Sequence, residues 1–495
     1  MLFHASGQRF VRPAHLSLAF RVLFMVWLAL PLALWPSISA YAAAPASIPI
    51  PTDLTATPVS FQGSGGITLH GTILDPAHAQ GGRPGVVLVS GSGTGLRTET
   101  QPDAIAFAQQ GLSALIYDKR SVGYSTFQRN YSQLADDALA AVQTLRAHAG
   151  VDPKKVGIWG RSEGGWVAPL AAERSADVAF VIVVGANAIS PLQQQTWAVA
   201  NALHREGVSG SLLNHAEPTM FRLVATVGIF PEAYYDAAAV LQHVRQPLLG
   251  VWGSDDQSTP PGQNPPLFAQ ALQQGGNTHY TFRFFPGASH DIHQSSDGGV
   301  TSLPELAPGY AELVGSWVQA VTSGRLPQAD APVPPQQDWL SVPVPPLSWW
   351  ESAWVQLAAF LLLLAAIAGY PLVALLRRLR GRSLRAAVGT PARLLSGTGV
   401  TAVLCFFVYM LSLLIGVGMD GREVVPDPVL AGRPLLWLLL QTLALVTVGA
   451  EVATAVAWRR AGNSVSLGER RRLGLLLAGG ALFVLWALYW GLLLP

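Results

Sequence analysis

The chain has 495 residues, half of them apolar and only 12% charged, about half the ~25% charged share of ordinary soluble domains. With a mean hydropathy of +0.34, composition excludes a wholly water-soluble protein and puts part of the chain in lipid. The formal net charge is +2, only three lysines occur (Lys119, Lys154, Lys155) and many arginines sit beside apolar runs, a pattern of membrane topology and not of a nucleic-acid surface.

The first 45 residues combine a basic start (Arg9, Arg12, Arg21), the apolar run VLFMVWLALPLALW and the small-residue exit SISAYAAAPA. This is the layout of a secretory signal, with Ala40 and Ala42 framing an A-x-A cleavage site. An uncleaved N-terminal anchor is the alternative, and both readings export the chain beyond residue 45.

Residues 46–323 form one domain's worth of chain. Apolar runs such as GVVLVSG, SALIYDK, KVGIWG, VAFVIVVGA, PLLGVWG and YTFRFFPG alternate with helical patterns, which implies a parallel sheet covered by helices on both faces. PVSFQ and ITLHGTIL alternate in polarity and read as an antiparallel pair at one edge. Ligands of such a sheet gather at the carboxyl ends of the strands.

Three segments at strand ends carry chemistry. The run SGSGTGLR has Gly91 and Gly93 on a turn, with Asp118 ending the next strand, but Leu96 stands where a dinucleotide site needs glycine or alanine. No helix N-terminus follows to take a pyrophosphate, so no cofactor is expected. Gly160-Arg161-Ser162-Glu163-Gly164 places a G-x-S-x-G between a strand and a helical segment, the setting of a nucleophile elbow in which side chains at the flanking glycines would clash.

A neutral serine needs a base, and the base needs a carboxylate to hold its tautomer. Asp256, with Asp255 as the alternative acid, ends the strand LLGVWG, and His290 ends the following strand, with His293 three residues on. The order Ser, acid, His is that of an elbow-type hydrolase. His290, Asp291 and His293 have no further clustered ligands in sequence, so no metal is expected. The oxyanion donors are expected to be the backbone N–H groups of Glu163 and Ser92.

These residues together resemble the α/β-hydrolase superfamily, more narrowly its esterase and serine-aminopeptidase-like group, over about residues 85–321. The resemblance implies an α/β-hydrolase fold, with SGSGTG after the third strand, YDKRSVGYS after the fourth and GRSEGG at the elbow. It departs from the family at Ser90, where histidine is frequent, at Ser121, where glycine is usual, and at Arg161, where histidine is common. It implies structural roles for Asp118 and Arg120, and a helical cap at about 187–246 that shapes the substrate pocket. Trp197, Phe221, Phe230, Tyr234 and Tyr235 in that cap point to an apolar acyl or aryl group.

Residues 324–352 are proline-rich and read as an extended spacer. The membrane domain, 353–495, then has apolar segments at about 354–376, 397–419, 435–458 and 473–494, each long enough to cross a bilayer (~20 residues). Of 13 arginines after residue 350, six separate the first two segments (Arg377, Arg378, Arg380, Arg382, Arg385, Arg393) and five the last two (Arg459, Arg460, Arg470, Arg471, Arg472). Only Arg422 and Arg433 fall in the middle loop. Short cytoplasmic loops retain arginine, so the hydrolase-like domain is expected on the extracytoplasmic side of the cytoplasmic membrane, as the signal independently requires. Glu451 is the clear carboxylate within a span, where pairing with the nearby arginines competes with a functional role. The function expected is a membrane-tethered serine hydrolase acting on a small carboxylic ester or acyl substrate, with aminopeptidase or acyltransferase chemistry as variants. The competing class is a membrane transport or sensing protein whose hydrolase-like domain binds without turnover.

Overall fold

The computed structural model describes residues 48–78, 81–93, 95–125, 127–381, 388–420 and 428–495. The expected signal or anchor lies outside the described residues, as do Arg382, Arg385 and Arg422. The strands are β1 Leu54–Gln62, β2 Thr68–Pro76, β3 Arg83–Val89, β4 Ser113–Tyr117, β5 Val151–Arg161, β6 Val181–Val184, β7 Leu248–Gly253 and β8 Tyr280–Phe285. They form one sheet in the order β1-β2-β4-β3-β5-β6-β7-β8. β1 and β2 pair antiparallel, β2 joins β4 antiparallel, and every later pairing is parallel. The alternating edge pair and the apolar parallel strands are thus as their sequences require, and the domain has an α/β-hydrolase fold.

Alternate residues of each parallel strand enter two cores. Val87, Val89, Leu115, Ile158, Val181 and Val183 face one, and Val86, Leu88, Ala114, Ile116, Trp159, Ile182 and Val184 face the other. The first is covered by α2 (Tyr131–Arg146), α3 (Gly164–Arg174), α6 (Ala237–Leu241) and α7 (Asn264–Gln274). The second is covered by α1 (Gln101–Gln109) and α8 (Tyr310–Thr322). Trp159 is fully buried there between Phe107 and Tyr310, its indole N–H donating to the Tyr310 hydroxyl at 2.9 Å. Full burial of one large apolar side chain contributes roughly 1.5–3 kcal/mol. Leaving the Trp159 N–H unpartnered would offset much of that.

The chain leaves β3 for β4 on one side and returns to β5 on the other, so strand order reverses between β3 and β5. A crevice opens at such a reversal, at the carboxyl ends of the strands. Residues 90–93 and Ser162 lie on its two walls.

Between β6 and β7 lie α4 (Pro191–Arg205), a π-helical turn Leu212–Ala216 and α5 (Glu217–Thr226) ahead of α6. Ser190 caps α4 by accepting from the Gln193 N–H, with Pro191 at the first helical position. After α8, residues 325–348 run without helix along the domain, and a 3-10 turn, Trp349–Glu351, follows. Asp330 extends the edge of β8 through Phe282 N–H to Asp330 O (2.8 Å) and Asp330 N–H to Tyr280 O (3.0 Å). Gln263 Oε1 accepts from the Ser341 N–H at 2.6 Å, and Trp197 donates to Trp339 O at 2.6 Å. This segment is strapped to the domain and is not a free spacer.

Four helices follow, each long and apolar enough to cross a membrane: α9 Ala353–Leu379, α10 Gly389–Asp420, α11 Leu435–Ala461 and α12 Leu467–Tyr489. Helix α12 begins ahead of the apolar run at 473, because Ser466 caps it by accepting from the Glu469 N–H. Pro371 sits within α9 without ending it. Glu451 packs against Gly480 of α12, where an added Cβ would lie 2.7 Å from its carboxyl carbon, and it has no ion pair among the described residues.

The segment above the sheet and the helix bundle share one apolar cluster, in which Val199, Leu203, Leu212 and Phe221 pack with Leu363, Trp437, Phe483 and Trp486. Polar contacts reinforce it. Ser209 N–H donates to Gly432 O at 2.7 Å, and Arg222 pairs with Glu351 at 3.1 Å.

Candidate active site

Ser162 lies between the last residue of β5 and the start of α3, with φ of 54°. Left-handed backbone at a non-glycine residue costs roughly 1–2 kcal/mol. Here the turn is held by Ser162 N–H donating to Val184 O (2.9 Å) and Gly165 N–H donating to Ser162 O (2.8 Å). Both flanking glycines are obligatory on steric grounds. A Cβ on Gly160 would lie 2.0 Å from Gly164 O, and one on Gly164 would lie 2.3 Å from Val89 O.

The β3 loop closes on the serine from the other wall. A Cβ on Gly91 would be 3.3 Å from Ser162 Cβ and 3.9 Å from its Oγ, so bare main chain approaches the hydroxyl. Ser92 follows on this loop and is exposed.

His290 and Asp256 meet at the ends of β8 and β7. Imidazole Nδ1 is 2.8 Å from Asp256 Oδ2. The carboxylate is fully engaged: Oδ1 accepts from the N–H groups of Ser258 and Thr259, both at 2.8 Å, and Oδ2 also accepts from the Thr259 hydroxyl. The Asp256 side chain is completely buried while 12% of His290 is exposed, so the acid is sealed behind a base that reaches solvent. Gly185, with φ of 52°, makes room for the ring, since a Cβ there would lie 2.7 Å from His290 Nδ1. As Val184 O holds Ser162 N–H, the serine and the imidazole flank the end of β6.

The neighbouring candidates are engaged elsewhere. Asp255 accepts from its neighbour Ser254 Oγ at 2.9 Å. His293 Nδ1 is 2.8 Å from Leu303 O, and Asp291 accepts from the hydroxyls of Ser289 and Ser302, each at 2.7 Å. It is Asp256, and not Asp255, that reaches His290.

Glu163 has a second feature besides its position after the nucleophile. Its side chain is buried, with Oε1 2.8 Å from Lys119 Nζ and accepting from the Tyr124 hydroxyl at 2.7 Å, and Oε2 3.2 Å from Arg129. Burial opposes its ionisation, but Lys119 and Arg129 outweigh that and hold the carboxyl below the ordinary glutamate range. Lys119 also donates to Gly91 O, so Glu163 anchors the lysine that grips the loop facing Ser162. Lys119, Tyr124, Arg129 and Gly185 were not legible as site residues. The only trace of the first was its place in DKR, between Asp118, which accepts from Arg97 N–H at 3.0 Å, and Arg120, which pairs with buried Asp137 at 2.6 Å.

Arg161 reaches away from the crevice. It donates to Glu99 O at 3.1 Å and lies 3.7 Å from Asp103. Burial pushes the Asp103 carboxyl up to about 6 despite that arginine. For Asp291 burial also raises the pKa, but Arg161 and His293 more than cancel it and hold the group well below the usual carboxylate range.

A shallow depression open to solvent, with an enclosed volume of only about 10 Å³, is lined by Arg205, Gln257, Ser258, His290, Gly299, Val300 and Ser302; Ser162 is not part of this lining. The aromatic residues of segment 187–246 do not line it. Trp197 and Phe221 are buried, and Tyr235 packs edge-on to Tyr131 with centroids 5.0 Å apart. Tyr234, in contrast, is exposed.

A family model described as the prolyl oligopeptidase family matches residues 125–306. Polyketide transferase claH of Penicillium crustosum is 36% identical over 132 residues, 26% of this chain and 43% of that protein. Thiohydrolase apmlB of Arthrinium phaeospermum is 32% identical over 130 residues, 26% of this chain and 41% of that protein. The chain therefore spans less than half the length of these curated relatives. Among solved structures, a complex of DcsB with a substrate analogue aligns at 19% identity and a TM-score of 0.39, covering 55% of this chain and 100% of the other. The dienelactone hydrolase from Anabaena variabilis aligns at 19% identity and a TM-score of 0.33, covering 56% and 100%.

Proposed function

We propose that this protein is a serine hydrolase held at a membrane by its C-terminal helices, cleaving carboxylic esters through Ser162, His290 and Asp256. The observation that carries the reading is the His290–Asp256 hydrogen bond, with His290 set against Gly185, the residue after the Val184 carbonyl that holds Ser162 in left-handed backbone. Ser162 Oγ attacks the ester carbonyl carbon and its proton passes to His290 Nε2. Asp256 holds Nδ1–H and stabilises the imidazolium. The backbone N–H groups of Glu163 and Ser92 donate to the oxyanion, with the β3 loop held in place by Lys119. Collapse expels the alcohol, which takes the proton from Nε2. Water then repeats the sequence on the acyl-enzyme and releases the acid.

A fluorophosphonate probe and a panel of short and long acyl esters test this. Labelling and hydrolysis should vanish in Ser162→Ala, and equal labelling of both proteins would sink the enzyme reading in favour of a non-catalytic binding domain in a transport or sensing protein. Thioester cleavage or acyl transfer is the second reading, favoured by the two relatives named as a thiohydrolase and a polyketide transferase. Thioester and aminopeptidase substrates belong in the same panel. The arginine-rich loops support an extracytoplasmic catalytic domain on the cytoplasmic membrane. Protection of that domain from protease added outside spheroplasts would overturn this orientation.

A further inference from the structure

Arg205 ends α4 and lines the depression that contains His290. It is exposed, and it makes no hydrogen bond or ion pair among the described residues. Two other polar side chains of the wall are engaged internally. Gln257 accepts from Asn201 at 2.8 Å and donates to Gly298 O at 2.7 Å, and Ser302 donates to Asp291 at 2.7 Å. No carboxylate lines the depression. Glu206 follows Arg205 in the chain but is not part of the wall, and Asp256 is sealed behind His290. Among the described residues the guanidinium is therefore the one formal charge of the lining itself, with the Asp291 carboxylate bonded behind Ser302.

The depression also lies close to the helix bundle. Four residues beyond Arg205, Ser209 donates to Gly432 in the connection between α10 and α11. A Cβ on Gly210 would lie 3.2 Å from the carbonyl oxygen of Pro495 and 3.8 Å from Arg433 Nε. On the orientation proposed above, this end of the bundle is the outer membrane surface.

We infer that Arg205 is a specificity residue that receives an anionic group, carboxylate or phosphate, carried by the ester cleaved at Ser162. A guanidinium meets either anion with two parallel hydrogen bonds, which fixes the substrate's orientation as well as attracting it. The inference rests on the hydrolase reading, and it replaces the purely apolar substrate expected from the aromatic residues of segment 187–246. The anion could belong to a soluble ester or to a lipid headgroup, and the chemistry at Arg205 is the same.

The test uses the full chain in detergent micelles. Wild type, Arg205→Ala, Arg205→Lys and Arg205→Glu are compared on p-nitrophenyl hemisuccinate against p-nitrophenyl butyrate. A second arm compares palmitoyl lysophosphatidylglycerol with monopalmitoylglycerol. In at least one arm, the ratio of kcat/KM for the anionic over the neutral ester should fall about tenfold in Arg205→Ala through KM. It should recover partly in Arg205→Lys and fall further in Arg205→Glu. A response in the first arm alone points to a soluble anion, and in the second alone to a lipid headgroup. A ratio unchanged in both arms overturns the assignment while leaving the hydrolase reading intact. If no activity depends on Ser162, the hydrolase reading fails and Arg205 is judged by phenyl phosphate binding to Ser162→Ala with and without Arg205→Ala, where equal affinity overturns it.

Discussion

Replacing Asp256 by asparagine leaves the shape of the site almost unchanged and reverses one hydrogen bond. Asp256 Oδ1 accepts from two backbone N–H groups, those of Ser258 and Thr259, and Oδ2 accepts from the Thr259 hydroxyl while facing His290 Nδ1. An amide oxygen takes the place of Oδ1, because an NH2 there would confront two fixed donors. The NH2 group then faces His290 and donates to Nδ1, which forces the proton onto Nε2. In that tautomer the imidazole cannot accept the proton of Ser162. Loss of the correct tautomer in a serine triad costs about ten-thousandfold in kcat. The Thr259 hydroxyl can rotate to another acceptor, so the stability penalty stays near that of one disturbed buried hydrogen bond, about 1–3 kcal/mol. The assay is the second-order rate of fluorophosphonate labelling at neutral pH, with thermal unfolding as a check on folding. Asp255→Asn is the control, since its carboxylate bonds only to Ser254. A folded Asp256→Asn protein that labels within tenfold of wild type, or an Asp255→Asn protein that loses more, refutes this account.

Gly185→Ala should lower both labelling and Tm, because the added methyl would collide with the His290 ring and with its backbone oxygen, on top of roughly 1–2 kcal/mol for left-handed alanine; equal labelling by a folded variant would contradict it. Lys119→Met removes both the donor to Gly91 O and one of two cations beside Glu163. Loss of one partner from a buried pair costs about 3–5 kcal/mol, so a fall in Tm together with slower labelling is expected, and an unchanged Tm counts against the network. Asp103 supplies a pH test. Its folded pKa, about 6, lies above the ordinary 3.8, so the folded state binds the proton more tightly and loses stability as pH rises from about 4 to 6, by about 3 kcal/mol. Asp103→Asn lacks this loss. Its Tm relative to wild type should therefore be higher at pH 7 than at pH 4, and a difference independent of pH would refute the assignment.

Much of the site was legible because its chemistry is local in sequence. A G-x-S-x-G needs its glycines for reasons set within five residues, and the clash distances at Gly160 and Gly164 bear this out. Continuous apolar runs identify parallel strands because both faces of the sheet are covered, and order along the chain placed an acid and a histidine at consecutive strand ends. What stayed hidden was long-range. The preference for Asp256 over Asp255 agrees with the carboxylate that reaches His290, but the Thr259 and Ser258 donors that hold it there were not expected. The role of Glu163 depends on Lys119 and Arg129, 44 and 34 positions away in the chain, because a buried carboxylate needs cations and nothing local shows that it is buried.

By itself the sequence determined the four lipid-length apolar segments, the α/β alternation and the serine at the elbow, since each follows from hydropathy, period and short-range sterics. Only the tertiary structure decided that Trp197 and Phe221 of segment 187–246 are buried, Phe221 against the helix bundle, while Arg205 lines the same shallow depression as His290. Aromatic composition reports how much apolar surface must be buried. It does not report against what, and that depends on the packing of elements far apart in the chain.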